Sequence, residues 1–441
     1  MGDANVNYIA RTIRPSCKVA VIGAGLAGLA TAVSLQRVGH QVTVFEISSG
    51  LKEIGAGINV ATNATILFKE WGILSQLEEV SIEPEIARMF SHKSQLLSST
   101  IISPDFKDLY KTPYLITHRA ELQNLLFNKA TKLGAVTVFS AMVKKINFEE
   151  SALEFADGTT QNFDVIFGAD GEKSFCREAL LGREDPLDDS GFDIYRATVK
   201  IDDVAELPDL AELVEVHSIN MWIGPEGHTV TYPIRKGNLL NIVLTHQHES
   251  DSPLSMGPES IGTDNVHQAF KDWSPQFHKL LDVPTAWMKR TMMYSRECNS
   301  WLHPLGYFAI LGDSAHGSPP YLAQGAAMAF EDAAVLGVLF SKFKNKDDIP
   351  ELLKIYDRLR RPRALMCRNR SKALRDVYAL ENGPEQEERD RMLLHDPSYD
   401  GSPNFLEDPV LRNWLYGYNA VEATEEAWFE HMKQKKENRS G

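Results

Sequence analysis

Cysteine is scarce: four occur in 441 residues, at positions 17, 176, 298 and 367, and no two form a Cys-x-x-Cys pair. That scarcity excludes a disulfide scaffold and a cysteine-built metal site. Reduced thiols in a cytoplasmic setting are the expectation. No apolar run of about 18 residues occurs, so no membrane span is expected. Basic residues are outnumbered, 46 Lys and Arg against 60 Asp and Glu, and the formal net charge of −14 argues against nucleic acid as a partner. The N-terminus lacks the apolar core of a secretory signal, and residues 1–16 read as a flexible leader. No repeat or low-complexity linker divides the chain, although Ser250 to Gly262 is rich in Pro, Gly and Ser and reads as a mobile loop. The 43% hydrophobic and 24% charged composition is that of a globular protein, long enough for two closely packed domains.

The most informative segment present is Lys18-Val-Ala-Val-Ile-Gly23-Ala-Gly25-Leu-Ala-Gly28, followed by a helix, a strand from Gln41 to Phe45, and Glu46. Each part suits dinucleotide binding. Gly23 permits the tight turn, Gly25 lets backbone approach a pyrophosphate, and Gly28 lets helix pack on strand. The helix N-terminus offers free N–H groups and positive partial charge. Glu46 can accept hydrogen bonds from a ribose. Strand, helix and acid together carry far more weight than the glycines alone.

Further on, a helix is expected near Asn63 to Leu74 and another over Ala120 to Leu133. Short strands follow to Phe163–Gly168, which ends in Ala169-Asp170-Gly171. From Phe192 to His248 successive strands suggest an inserted, largely antiparallel sheet, a natural wall for a second ligand. A buried strand returns at Tyr307 to Leu311, then Gly312-Asp313 and a long helix from Gln324 to Lys342. The expected organisation is therefore an α/β fold. Residues 17–190 and 290–345 form a discontinuous Rossmann-type domain, 191–289 a sheet domain, and 346–441 a helical C-terminal region whose end, from Lys433, reads as a frayed tail.

Three ordered motifs, the glycine box, Gly168-Ala-Asp170-Gly171-Glu-Lys-Ser-Phe-Cys-Arg177, and Gly312-Asp313 leading to Gln324-Gly325-Ala326-Ala327, carry a resemblance. Together they resemble the flavin-dependent aromatic hydroxylases, single-component monooxygenases related to p-hydroxybenzoate and salicylate hydroxylases. The resemblance implies FAD as resident cofactor, with Gly23, Gly25, Gly28 and Glu46 on its ADP half. It also implies Arg119 and Asp170 as cofactor contacts, Arg177 in the cofactor pocket, and Asp313 on the ribityl chain. Residue chemistry agrees for Asp313, a carboxylate held at a strand end, and for Gln324–Ala327. There a helix start with unpaired N–H groups and small side chains, Ala326 among them, could lie against a flat ring. Gly57 is expected to give backbone room beside the flavin, and Pro320 to shape the pocket near substrate.

On the inserted sheet, Arg196 and Tyr232 match the positions where fungal relatives act on phenolic substrates. Arg196 would hold a phenolate or enolate, and Tyr232 would orient the same oxygen. His228 lies four residues before Tyr232, so on a strand both face one side. A plainer reading remains open for each: a surface ion pair for Arg196, sheet packing for Tyr232 and His228, and a structural hydrogen bond for His316. His246-Gln-His248 lacks acid or cysteine partners at metal spacing, so no metal site is expected. Where salicylate hydroxylases commonly carry Cys-His-Pro, this chain has Ala315-His316-Gly317, which turns the expectation away from salicylate.

The implied activity is hydroxylation of a phenolic or heteroaromatic small molecule with O2 and NADPH or NADH, through a flavin C4a-hydroperoxide, in secondary metabolism. Epoxidation of an alkene or indole by the same chemistry stays open, as does, more distantly, a non-catalytic flavoprotein-like binding module. The expected protein is a monomer or homodimer.

Overall fold

A computed structural model describes residues 15–51, 57–249, 254–255, 257–395 and 398–440. The expected leader lies almost wholly outside these residues, as do Glu53 to Ala56 and part of the expected mobile loop. The end of that loop is ordered: Glu259–Ile261 forms an edge strand.

A five-stranded parallel sheet runs in the order Phe308–Ile310, Val165–Gly168, Lys18–Ile22, Gln41–Phe45, Val136–Val138. Val19, Ala20 and Val21 are fully buried, and a small antiparallel sheet (Val143–Asn147, Ala152–Phe155, Thr160–Asn162) packs on the parallel one, with Phe45 on Phe155 and Phe308 on Phe148. The helices Leu26–Arg37 and Gly325–Phe340 pack together, and small residues set their approach: a Cβ on Gly337 would stand 2.9 Å from the Ser34 Cβ.

The second sheet has eight strands, ordered Glu259–Ile261, Trp287–Tyr294, Asp188–Lys200, Leu239–Gln247, Gly227–Ile234, Ser218–Gly224, Ile86–Ser91, Leu96–Ile101. Its pairs are antiparallel except for Ser218–Gly224 beside Ile86–Ser91. The last two strands come from well before residue 191 and Trp287–Tyr294 runs past 289, so the segment 191–289 does not hold the whole sheet. One face carries a helical layer built around Trp222, Phe270, Trp273 and Trp287. The other face turns toward the parallel-sheet domain.

The C-terminal region is helical, as expected, but its end is not a frayed tail. The helix Ala420–Ser440 is pinned by Lys342 on Glu425 at 2.8 Å and by Lys435 on Glu351 at 2.6 Å. The helix Ile349–Tyr378 sends Arg360 and Arg363 into the core, where they meet Glu331 and Asp332 from Gly325–Phe340. Burial alone would favour the neutral acids, but the facing guanidiniums at Glu331, and His316 with Arg360 at Asp332, prevail and hold both carboxyls below their ordinary range.

Candidate active site

The three glycines of the first turn do different jobs. Gly23 has φ +106°, and a Cβ there would lie 2.4 Å from the Ala169 carbonyl oxygen. A Cβ on Gly28 would lie 2.0 Å from the Gly23 carbonyl oxygen, so its absence lets the helix close on the turn. Gly25 has nothing within 4 Å of its Cβ position, and as N-cap it leaves the helix start without a side-chain cap. Glu46 accepts from the Ala24 N–H and the Ser48 N–H, both at 2.9 Å, which ties the acid to the turn. Gln123, a residue no motif singled out, donates to the Ala24 carbonyl at 2.8 Å. Arg119 opens that same helix, exposed and without an ion-pair partner among the described residues.

The Asp-Gly and Gly-Asp segments lock into each other. Ser314 Oγ donates to Asp170 at 3.0 Å and accepts from the Gly171 N–H at 2.9 Å. Asp170 also accepts from Ser174 Oγ at 2.5 Å and the Cys176 N–H at 2.9 Å. Its carboxylate is thus filled from within the protein, and its visible task is to join the segments rather than to reach outward as expected. Arg177 departs similarly. It is buried, paired with Asp185 at 2.6 Å, and donates to the carbonyls of Ala315 and Arg296, so its fork is consumed in bracing the Gly312 turn. Asp313 is the contrast: exposed, with no hydrogen-bond partner for its carboxylate among the described residues, at the end of a buried strand.

The substrate wall can be read from register. Arg196, Val243, Val230 and Met221 stand opposite one another on four neighbouring strands, and all four are half-buried. The rows on either side are largely covered, with Thr198 at the exposed end of the first. One contains Tyr232, whose O–H donates to the Gly57 carbonyl at 3.1 Å. The other contains His228, whose ring centre lies 4.6 Å from that of Tyr321. A shallow trough remains between them, with Arg196 at one end. Arg196 Nε is buried without a hydrogen-bond partner, and the guanidinium has no counter-ion among the described residues. Burial lowers its pKa, and the neighbouring Arg290 and Arg119 press in the same direction against the opposing pull of Tyr232. Tyr232 is pushed up to about 12 by burial, so it stays protonated. His228 is pushed down to about 3 by burial, so it is a neutral ring across the ordinary pH range.

Gly57 makes room for Tyr232. A Cβ there would lie 2.1 Å from the Tyr232 ring, so the glycine admits Tyr232. Pro320 is exposed and opens the short turn that carries Tyr321 onto His228. Four residues after Tyr321, Gly325 begins its helix with open space at its Cβ position and Ala326 half-buried beside it. Behind this helix start, Gln324 accepts from Asn63 at 2.9 Å, and its own amide N–H group is buried without a partner.

These features fit FAD: open backbone at Gly25 and Gly325, an uncapped helix start and an Asp313 carboxylate without a hydrogen-bond partner among the described residues. Residues 16–371 match the model of the FAD binding domain family. The chain is 31% identical to the FAD-dependent monooxygenase OpS4 of Beauveria bassiana, covering 94% of this chain and 98% of that one. It is 30% identical to the 3-hydroxybenzoate 6-hydroxylase of Polaromonas naphthalenivorans, over 91% and 96% of the two chains. A salicylate hydroxylase substrate complex superposes with TM-score 0.77 at 25% identity, covering 94% of this chain and 98% of that one. The chain belongs to the class A FAD-dependent aromatic hydroxylase family. Its cofactor is FAD, held in a Rossmann-type domain.

Proposed function

We propose that this chain is a monooxygenase that transfers one atom of O2 to a phenolic or heteroaromatic small molecule in secondary metabolism, with NADPH or NADH as reductant. One oxygen atom enters the substrate, the other leaves as water, and the reductant supplies the two electrons. The observation that carries the reading is Arg196, a half-buried cation whose Nε is buried without a hydrogen-bond partner and which has no counter-ion among the described residues. Leaving such a charge uncompensated is unfavourable, and an anionic ligand lowers that cost.

FAD, when bound, supplies the reductive activation of dioxygen. The chain's own residues prepare the ring. Arg196 binds an oxygen of the substrate as the phenolate, which makes the ring more electron-rich toward an electrophilic oxygen. Tyr232, protonated and hydrogen-bonded to the Gly57 carbonyl in this structure, would turn its O–H to the same oxygen when the phenolate binds. The covered rows on both sides of the trough keep water from the reacting carbon. Gly23, Gly25, Gly28, Glu46, Arg119, Asp313 and Ala326 are the residues proposed to hold the cofactor, and Asp170 braces them. The names of the relatives, a 3-hydroxybenzoate 6-hydroxylase among them, support an aromatic substrate.

The test is oxidation of NADPH and NADH by the purified holoprotein against a panel of phenols and heteroaromatics, with product scored by mass. Arg196→Ala should keep its flavin and lose product formation by about 100-fold or more, the loss of one buried charge-assisted contact. Undiminished product, or protein that cannot take up FAD, would refute the proposal.

A further inference from the structure

The strand Leu239–Gln247 runs between the strand that carries Arg196 and the strand that carries Tyr232. Its register sets Asn241 opposite Tyr232 on one side and Thr198 on the other, while Val243 faces Arg196. Directly paired residues put their side chains on one face. Asn241 therefore occupies the ground between Arg196 and Tyr232, two groups that influence each other's protonation across it.

Asn241 is 0% exposed, yet neither its amide nitrogen nor its carbonyl oxygen has a hydrogen-bond partner. Each orphaned polar group costs about 1–3 kcal/mol. The surrounding sequence, Leu239-Leu-Asn-Ile-Val-Leu244, is otherwise apolar, so a leucine would serve packing better. A carboxamide offers donor and acceptor side by side. Its complement is a group with the same pair reversed: the N–H and C=O of a primary carboxamide or a lactam.

We propose that Asn241 is a specificity residue that reads a carboxamide or lactam edge of the substrate. The substrate N–H donates to Asn241 Oδ1, and the substrate carbonyl accepts from Asn241 Nδ2. That edge lies beside the ring oxygen held by Arg196, so the substrate class is a phenol or hydroxylated heteroaromatic with an adjacent amide. This rests on the function proposed above. A ligand with an acceptor but no N–H leaves Asn241 Oδ1 unpaired and is discriminated against.

The experiment titrates holoprotein with 2-hydroxybenzamide and with its N,N-dimethyl amide, following the flavin absorbance change. The parent should bind the first about 10-fold more tightly, one hydrogen bond's worth of discrimination. Asn241→Leu should bring that ratio close to one, with flavin content unchanged and Tm unchanged or raised, because an unpaired buried amide has been removed. Asn241→Val is the second variant, suited to a strand should leucine not fit. Arg196→Ala should weaken both amides alike. A parent that does not discriminate, or variants that keep the discrimination, would overturn the assignment. So would a fall in Tm with equal loss of both amides, since that marks a structural amide. Failure of the broader reading looks different: neither amide would respond to Arg196→Ala.

Discussion

Gly25→Ala separates cofactor binding from folding more cleanly than any other change in the first turn. Gly25 has φ −72° and ψ −178°, a backbone conformation open to any L-residue, and its Cβ position is empty to 4 Å. An added methyl therefore strains nothing in the apoprotein. By restricting the unfolded chain it should stabilise the apoprotein by about 0.4–1 kcal/mol. The same methyl would stand where a diphosphate must meet the helix N-terminus, separating phosphate oxygens from N–H donors. Losing one or two such contacts costs about 1.5–3 kcal/mol, or roughly 10- to 100-fold in FAD affinity. Gly28→Ala is the control: its Cβ would be 2.0 Å from a backbone oxygen that cannot swing aside. That variant should lose about 1–3 kcal/mol or more of fold stability. The assay is thermal unfolding of flavin-free protein together with FAD titration by quenching of flavin fluorescence. A Gly25→Ala apoprotein that melts as low as Gly28→Ala, or that binds FAD as tightly as the parent, would refute the reasoning.

Gly57→Ala should keep its flavin and lose product formation about 10-fold or more, because the methyl displaces the Tyr232 ring and breaks its bond to the Gly57 carbonyl. Loss of FAD instead would restore the reading that Gly57 faces the flavin. His228 predicts acid sensitivity. Its folded pKa, near 3, lies below the unfolded value of 6.5, so the unfolded chain takes up the proton first as pH falls. Stability present above pH 6.5 is then lost on the way down toward pH 3, at about 1.4 kcal/mol per pH unit. Urea unfolding at pH 6.5 and pH 5 should show a loss in the parent that is about 2 kcal/mol greater than in His228→Leu, and equal losses would contradict the assignment.

Residues whose task is local were the legible ones. The glycine box could be read because turn, helix start and strand end lie within one short stretch: Gly28 meets the Gly23 carbonyl and Gly25 meets nothing, although the Ala169 carbonyl that Gly23 meets lies far along the chain. The strand ends at Gly168 and Ile310 followed from apolar runs broken by Asp-Gly and Gly-Asp. Asp170 and Arg177 were harder, because their chemistry is decided by partners far along the chain. Asp170 meets Ser314, and Arg177 meets the backbone of Ala315 and Arg296. A carboxylate in a motif looks the same whether it faces a ligand or a serine 144 residues away. The strands Ile86–Ser91 and Leu96–Ile101 escaped notice for a related reason: the first pairs with Ser218–Gly224, on the other side of the whole intervening domain. The C-terminal helix looked like a solvated tail because its charges are many, and only the facing Glu351 and Lys342 turn those charges into attachments.

The substrate trough illustrates the same limit in its sharpest form. Arg196, Val243, Val230 and Met221 lie on four strands and come together only through the register of the sheet. Their row is open only because its two neighbours are covered, one beneath Gly57 and one beneath Tyr321. Selectivity therefore depends on the covering elements as much as on the floor. A smaller side chain at Tyr321 would uncover the next row and bring His228 into the trough, while a larger one at Gly57 would press Tyr232 toward the floor. Side chains within one row lie about 5 Å apart, while moving to the next row shifts contacts by nearly 7 Å, the two-residue repeat of a strand. Substitutions on the covering turns should then change which ring position faces the flavin, whereas substitutions on the floor should change which substituents are tolerated.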